Sequence, residues 1–179
     1  EILPDGSFGS FSGAAEAVPQ LPVPSSGGRV VPVASWDPVR AIPVFALFHL
    51  GGNVGNLENG ATRNVYRLAI DGTTNEFLGP WTGVSSGGQT VALNECRELF
   101  AAVAANGYLY AIGGQTSRQT ATTFYSSVER ALIRPDPDGL PGLGGFERLD
   151  SPHATFINGL NRDSDINGVA INNQIYVPG

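Results

Sequence analysis

The sequence predicts an all-β fold, and three observations lead to this prediction. The 179 residues include 24 Gly and 13 Pro but only 15% charged residues, which suits short strands joined by turns better than long helices. No stretch places apolar residues at helical spacing over several turns with a cap at each end. The third observation is an internal repeat, in which the same strand-like and turn-like features recur in a constant order.

The first repeated feature is an alternating segment, which predicts a strand with one buried face. Residues 64–70 read Asn-Val-Tyr-Arg-Leu-Ala-Ile, and residues 127–133 read Ser-Val-Glu-Arg-Ala-Leu-Ile. The second feature is a turn in which a glycine is followed two positions later by an aromatic residue. It occurs as Gly9-Ser10-Phe11, Gly79-Pro80-Trp81 and Gly144-Gly145-Phe146.

The third repeated feature is an apolar strand that ends in glycine, at residues 48–52, 110–114 and 176–179. Before the last two copies, Asn106-Gly107 and Asn172-Asn173 each lie between two apolar runs. Type I′ turns need a positive φ at both central residues, which Asn and Gly tolerate best. Each pair therefore predicts a tight hairpin that leads into the glycine-ended strand.

The order of these features resembles the kelch motif: a small-residue strand, an Asn-Gly turn, a Tyr-x-x-Gly-Gly strand, a variable loop, a Val-containing strand and a late aromatic residue. The turn at residues 5–11, Asp-Gly-Ser-Phe-Gly-Ser-Phe, is similar to that of bacterial kelch-like repeats. The copies follow one another at roughly 60–70 residues, a long version of the period expected for one propeller blade.

The resemblance implies a kelch-like β-propeller fragment, with four-stranded antiparallel blades arranged radially about a channel. It also implies that Gly113, Gly114, Tyr110 and Trp81 lie in the blade core and have no direct functional role.

On this interpretation the chain has four segments. Residues 1–36 hold the end of one blade and a loop rich in Ala, Pro, Ser and Gly, with one strand from Arg29 to Ala34. Residues 37–82 and 83–146 are blade-like repeats, and residues 147–179 begin a further, truncated repeat. About three blades would leave sheet edges unpaired and an inter-blade face open. We therefore expect completion by further blades of a longer chain or by self-association, and the lack of any Met favours a processed or partial chain.

The charge balance argues against nucleic acid as a partner. The net charge is 10 − 16 = −6, and all ten positive residues are scattered Arg. Binding to phosphates gains affinity from a concentrated positive field, which this sequence lacks. No apolar run approaches the roughly 18–20 residues that cross a bilayer, so no membrane span is expected.

The metal-ligating residue types form no strong pattern, so we predict no metal and no cofactor. Asp163, Asp165 and Asn167 fit the opening of a calcium loop, but Gln174 stands where the loop needs a bidentate Glu. The repeat alignment interprets this segment as the start of a strand, which leaves the three residues as weak candidates only. The two histidines, His49 and His153, are predicted to lie in a core strand and in an exposed loop, and the single Cys96 is predicted to be buried.

The resemblance favours a non-enzymatic module of a secreted or cell-surface protein that binds a protein or a glycan. Loops at the ends of a propeller commonly carry binding residues, and residues 53–63 and 115–125 follow equivalent Gly-Gly strands. The candidate binding residues in these loops are Asn53, Asn56, Glu58, Arg63, Gln115, Arg118 and Gln119. The alternative is a propeller enzyme similar to galactose oxidase, an oxidase or lyase with its site on the channel axis, for which Tyr108, Tyr110 and Cys96 supply the residue types.

Overall fold

A computed structural model describes residues 19–38, 40–55, 60–116, 124–149 and 166–177, and all of their regular elements are β-strands. In chain order the strands are β1 (Arg29–Asp37), β2 (Ile42–Leu50), β3 (Val65–Asp71), β4 (Thr82–Gly83), β5 (Ser85–Ser86), β6 (Gln89–Thr90), β7 (Ala101–Ala105), β8 (Tyr108–Ile112), β9 (Val128–Pro135), β10 (Pro141–Leu143), β11 (Glu147–Arg148), β12 (Val169–Ile171) and β13 (Gln174–Tyr176). The predicted all-β class is confirmed. No helix in the described residues has the length and hydrophobicity needed to cross a membrane.

The strands form two large antiparallel sheets and two hairpins. The first sheet has four strands in the order β1-β2-β3-β4. The second has five, in which β7, β8 and β9 are consecutive neighbours and both β10 and β11 pair with β9. The hairpin of β12 and β13 stands at the C-terminal end, and β5 pairs with β6. Consecutive strands that pair antiparallel in sheets of this size match the predicted blades.

The register of the strands confirms the repeat alignment residue by residue. Arg29 pairs with Leu50 in the first sheet as Ala101 pairs with Ile112 in the second, and a Gly-Gly pair follows both partners. In the first sheet Gly83 pairs with Tyr66, and in the second sheet Arg148 pairs with Glu129 at the equivalent position. The aromatic residues that precede these outermost strands, Trp81 and Phe146, therefore occupy equivalent positions, as the glycine-x-aromatic turns predicted.

Both predicted hairpin turns have the expected backbone. The φ values are 51° at Asn106, 77° at Gly107, 49° at Asn172 and 62° at Asn173. Positive φ at both central residues matches the right-handed twist of the flanking strands. The strand predicted from Arg29 to Ala34 is also present, and it continues to Asp37.

The main core lies between the two sheets. Because side chains alternate across a strand, one face of β1 and β2 meets one face of the second sheet. The buried residues there include Val31, Val33, Phe48, Leu50, Leu109, Ala111, Ala131 and Leu143. A second core joins the opposite face of the second sheet to the C-terminal hairpin, through Val103, Ile112, Val128, Ile166 and Ile175. The units therefore stack in the order first sheet, second sheet, C-terminal hairpin.

Strand pairing groups the chain differently from the predicted segments. Eight of the nine pairs between β1 and β2 join residues on opposite sides of the predicted boundary at residue 36. The first sheet spans residues 29–83 and the second residues 101–148, whereas the division into segments itself stays a prediction. Cys96 is exposed, so its predicted burial is wrong, because its neighbour Arg97 takes the inward position. His49 lies in β2 and is 5% exposed, as predicted.

Candidate functional site

Two Gly-Gly pairs begin the loops that the sequence singled out. Gly51 and Gly52 have φ values of 56° and 92°, and Gly113 and Gly114 have values of 65° and 86°. These values lie in the left-handed region that glycine occupies without penalty. Space is also short: a Cβ on Gly51 would meet the Arg97 carbonyl oxygen at 2.4 Å, and one on Gly114 would meet Phe100 Cβ at 2.6 Å. Glycine is therefore required both by conformation and by close packing.

Equivalent hydrogen bonds close the base of each loop. In the first, the Thr62 amide donates to the Gly52 carbonyl at 2.8 Å, and in the second the Tyr125 amide donates to the Gly114 carbonyl at 2.8 Å. Before each loop, the residue after the Gly-Gly pair exchanges two backbone bonds with a preceding segment. These pairs are Asn53 with Ser26, and Gln115 with Glu98. The two loops thus leave and re-enter neighbouring sheets at the same end and in the same way.

The predicted binding residues divide by their position in these loops. Asn53 and Gln115 are buried, at 3% and 4% exposure, and they stabilise the loop base. Gln115 Nε2 donates to Glu98 Oε1 at 3.0 Å, and Asn53 Oδ1 accepts from the Gly55 amide at 3.2 Å. Arg63 is exposed beside the first loop. The other four, Asn56, Glu58, Arg118 and Gln119, lie outside the described residues.

The structure contains a buried ion pair that the sequence analysis did not identify. The side chains of Arg97 and Glu129 are both 0% exposed, and Arg97 Nη2 lies 2.6 Å from Glu129 Oε1. A buried charge is tolerated only when it is paired and hydrogen-bonded. The Glu129 carboxylate also accepts from the backbone and side-chain amides of Asn94 and from the Glu95 amide. Both oxygens of the Glu129 carboxylate thus accept hydrogen bonds from N–H groups of the protein.

Arg97 connects this pair to both ends of the second loop. Its Nη1 donates to the Gly113 carbonyl at 2.6 Å, and its guanidinium carbon lies 4.9 Å from the centre of the Tyr125 ring. Its Nη2 also donates to Ser127 Oγ at 3.0 Å. Burial, followed by the charge of Glu95, raises the pKa of the Tyr125 hydroxyl. A charged residue at a buried position of the repeated strand, Glu129, was the sequence signal that could have revealed the network.

The first sheet fills the equivalent positions with different chemistry. By register, Ser25 corresponds to Arg97 and Tyr66 corresponds to Glu129. A hydrogen bond of 3.1 Å joins Ser25 Oγ and His49 Nε2, and the His49 ring packs at 6.3 Å from Tyr66 and edge-on at 6.4 Å from Trp81. Burial lowers the pKa of His49 below its usual 6.5. Neutral side chains therefore stand here in place of the ion pair.

Part of the second sheet is similar to a known protein family. Residues 96–130 match the family model of the Kelch motif. The matched stretch begins just before Arg97, includes the β7–β8 hairpin, the Gly-Gly pair and the second loop, and ends within β9. The kelch resemblance is confirmed over these residues, and the kelch repeat with its four-stranded antiparallel neighbour fits a propeller-like fragment. No curated protein matches the chain.

A kelch repeat indicates a protein-interaction module of the β-propeller type. Within the described ranges, no group of three or more His, Cys, Asp or Glu residues is arranged to hold a metal ion. Of the weak calcium candidates, Asn167 is exposed before β12, and Asp163 and Asp165 lie outside the described residues. For the enzyme alternative, Tyr108 and Tyr110 have ring centroids 6.2 Å apart on β8.

Proposed function

We propose that the chain is a non-enzymatic binding module and that the loops 53–63 and 115–125 form its binding surface. The observation that supports this is the equivalent base of the two loops, which directs both from the same end of neighbouring sheets. A rigid scaffold that presents variable loops is a common arrangement for recognition. The kelch match over residues 96–130 supports a protein-interaction role independently.

The composition of the loops supports recognition by hydrogen bonding. Residues 53–63 contain three Asn, and residues 115–125 contain two Gln and four Thr, with one Arg as the only charged residue of the second loop. Amide and hydroxyl groups can donate and accept hydrogen bonds, which suits either an extended peptide or the hydroxyl groups of a glycan. We expect the affinity of such a surface to depend only weakly on salt, because few charges are screened.

The test is a binding screen with loop variants. The wild-type chain is applied to a peptide-display library and to a glycan array, and any ligand found is titrated against the double variants Asn56→Ala/Glu58→Ala and Arg118→Ala/Gln119→Ala. We expect each to weaken binding by at least about tenfold, the loss of roughly 1.4 kcal/mol. Control variants Thr73→Ala and Asp138→Ala change exposed residues in turns at the opposite end of the sheets, and they should bind normally. Binding that survives both loop variants, or no binding on either array, would contradict the proposal.

We further propose that the module acts outside the cytoplasm, in a secreted or surface-attached protein. The support is the likeness of the turn at residues 5–11, which lies outside the described residues, to that of bacterial kelch-like repeats. Mild protease treatment of intact cells, with a cytoplasmic protein as the control, tests the location. Complete protection of the chain in intact cells, followed by cleavage after lysis, would contradict it.

A further inference from the structure

A groove of about 440 Å³ lies between the β5–β6 hairpin and the second sheet. One wall is formed by residues 85–88, and the other by residues 134–137 at the end of β9. The buried residues Gly142 and Leu143 of β10 complete the lining. A volume of this size is typical of a ligand site. All lining residues named here lie within the continuously described stretches 60–116 and 124–149, so both walls of the groove are present.

Arg134 is the cation of this groove, and no ion pair joins it to a carboxylate in the described part of the chain. Its Nη2 donates a hydrogen bond to Ser86 Oγ, which holds the exposed guanidinium between the two walls. Five other arginines do form ion pairs with Asp or Glu, namely Arg40, Arg67, Arg97, Arg130 and Arg148. Arg134 therefore keeps its charge for an anion from outside the chain.

The carboxylate of Asp136 also lines the groove, but it does not neutralise Arg134. Its Oδ2 is paired with Arg67, and its Oδ1 accepts from the backbone amides of Asp138 and Leu140, at 2.9 Å each. The side chain of Asp138 is exposed in the same turn, outside the lining of the groove. Because Asp136 and Arg67 cancel each other, an anion in the groove meets one uncompensated positive charge.

The rest of the lining suits an extended peptide that carries a carboxylate. The planar guanidinium fits a carboxylate through two parallel hydrogen bonds. Gly87 and Gly88 have open space around them, so a ligand backbone can approach closely. β10 is the edge strand of the second sheet, and an edge strand offers N–H and C=O groups to an extended segment. Among the described lining residues there is no aromatic ring, so a sugar ring has no face to stack on.

We propose that this groove binds an extended acidic segment of a partner protein, with an Asp or Glu carboxylate of that segment paired with Arg134. The site is separate from the loops 53–63 and 115–125. The eight residues of β9 place the groove roughly 25 Å from the second loop. Binding in the groove also weakens as salt screens the exposed ion pair, unlike the hydrogen bonds expected for the loops. The proposal therefore does not depend on ligand binding by the loops.

The test titrates the isotope-labelled chain with two pools of blocked pentapeptides. One pool has Glu at the central position and the other has Gln, and the remaining positions are randomised in both. NMR follows the backbone amides of Gly87 and Gly88 and the side-chain Nε–H of Arg134. We expect the Glu pool to shift these signals and the Gln pool to bind at least about tenfold more weakly, because a hydrogen bond to a charged group is lost. Raising the salt from about 0.05 M to about 0.5 M should weaken binding of the Glu pool.

Two variants connect the signals to the groove. Arg134→Gln should bind the Glu pool no better than the wild type binds the Gln pool. Arg130→Gln is the matched control, because Arg130 also lies on β9 but is paired with Glu147 outside the groove, and it should bind as the wild type does. Unshifted signals overturn the proposal, as do equal affinities for the two pools or undiminished binding by Arg134→Gln.

Sodium acetate and glucuronate test the source of the carboxylate. Each is titrated separately, and we expect both to bind more weakly than the Glu pool because neither has a peptide backbone to pair with β10. Acetate that binds as tightly as the Glu pool would mean that the groove takes any small carboxylate. Glucuronate that binds more tightly would mean that it takes an acidic sugar. Either result overturns the assignment to a peptide.

Discussion

Replacement of Glu129 by Gln tests whether the buried ion pair stabilises the second sheet. The side chain keeps its shape but loses its charge, so Arg97 is left as a buried cation without its main counter-ion. The carboxylate accepts hydrogen bonds from Asn94, Glu95 and Arg97. A Gln offers one acceptor oxygen, and its NH2 group would have to face one of these donors.

The expected loss of unfolding free energy depends on the burial of the ion pair and not on the distance between its atoms. Breaking a buried pair costs about 3–5 kcal/mol, and we expect the lower end because Gly113, Ser127 and Glu95 still accept from Arg97. For a chain of this size, that corresponds to a fall in Tm of roughly 6–12 °C. Glu147→Gln is the matched control: Arg130 Nε lies 2.6 Å from Glu147 Oε1, the same distance, but the two side chains are 32% and 58% exposed. An exposed pair contributes at most about 1 kcal/mol.

Urea unfolding followed by circular dichroism gives the free energy of unfolding for the wild type and both variants. The reasoning requires Glu129→Gln to lose at least about 2 kcal/mol more than Glu147→Gln. If the two variants lose equal stability, burial does not determine the strength of these pairs, and the network does not hold the second loop.

Three further changes have definite expected outcomes. Gly114→Ala should destabilise the chain by more than about 1 kcal/mol, because φ is 86° and the new Cβ meets Phe100; Gly145→Ala, with open space around it, should be close to neutral, and urea midpoints compare the two. Because the pKa of His49 is lowered in the folded state, the unfolded state takes up a proton first as the pH falls below 6.5. The contribution of His49 to stability is therefore present above that pH and is lost below it. His49→Gln should reduce the difference between the unfolding free energies measured at about pH 7.5 and about pH 5.5. Asn173→Gly should raise Tm slightly, since φ is 62° there and glycine adopts that conformation without strain; a lower Tm would contradict this.

Much of the fold could be predicted because strands and turns depend on local pattern. The Asn106-Gly107 and Asn172-Asn173 pairs specify positive φ, and the structure has it at all four residues. Alternation of apolar residues specified both repeated strands, and the alignment of the copies survives in the strand register. These features need only the chemistry of neighbouring residues.

The ion pair and the exposure of Cys96 could not be predicted in the same way. Arg97 and Glu129 lie 32 residues apart, and nothing local shows that both turn inward. Cys96 was expected to be buried as an apolar residue is, but Arg97 has the partners that make burial favourable, so the inward position goes to the cation. The burial of Asn53 and Gln115 was hidden for a related reason: both belong to loops in sequence, yet they pair with preceding segments in space.

The two sheets share a backbone plan but anchor their loops differently, and this difference bears on binding. Arg97 contacts the residues that begin and end the second loop, Gly113 and Tyr125, so a buried cation fixes both ends. In the first sheet Ser25 and His49 occupy this region, and neither is a fixed cation. A loop fixed at both ends loses less conformational freedom when it binds, which favours affinity. We therefore expect the contacts of Arg97 with Gly113 and Tyr125 to favour binding through the second loop.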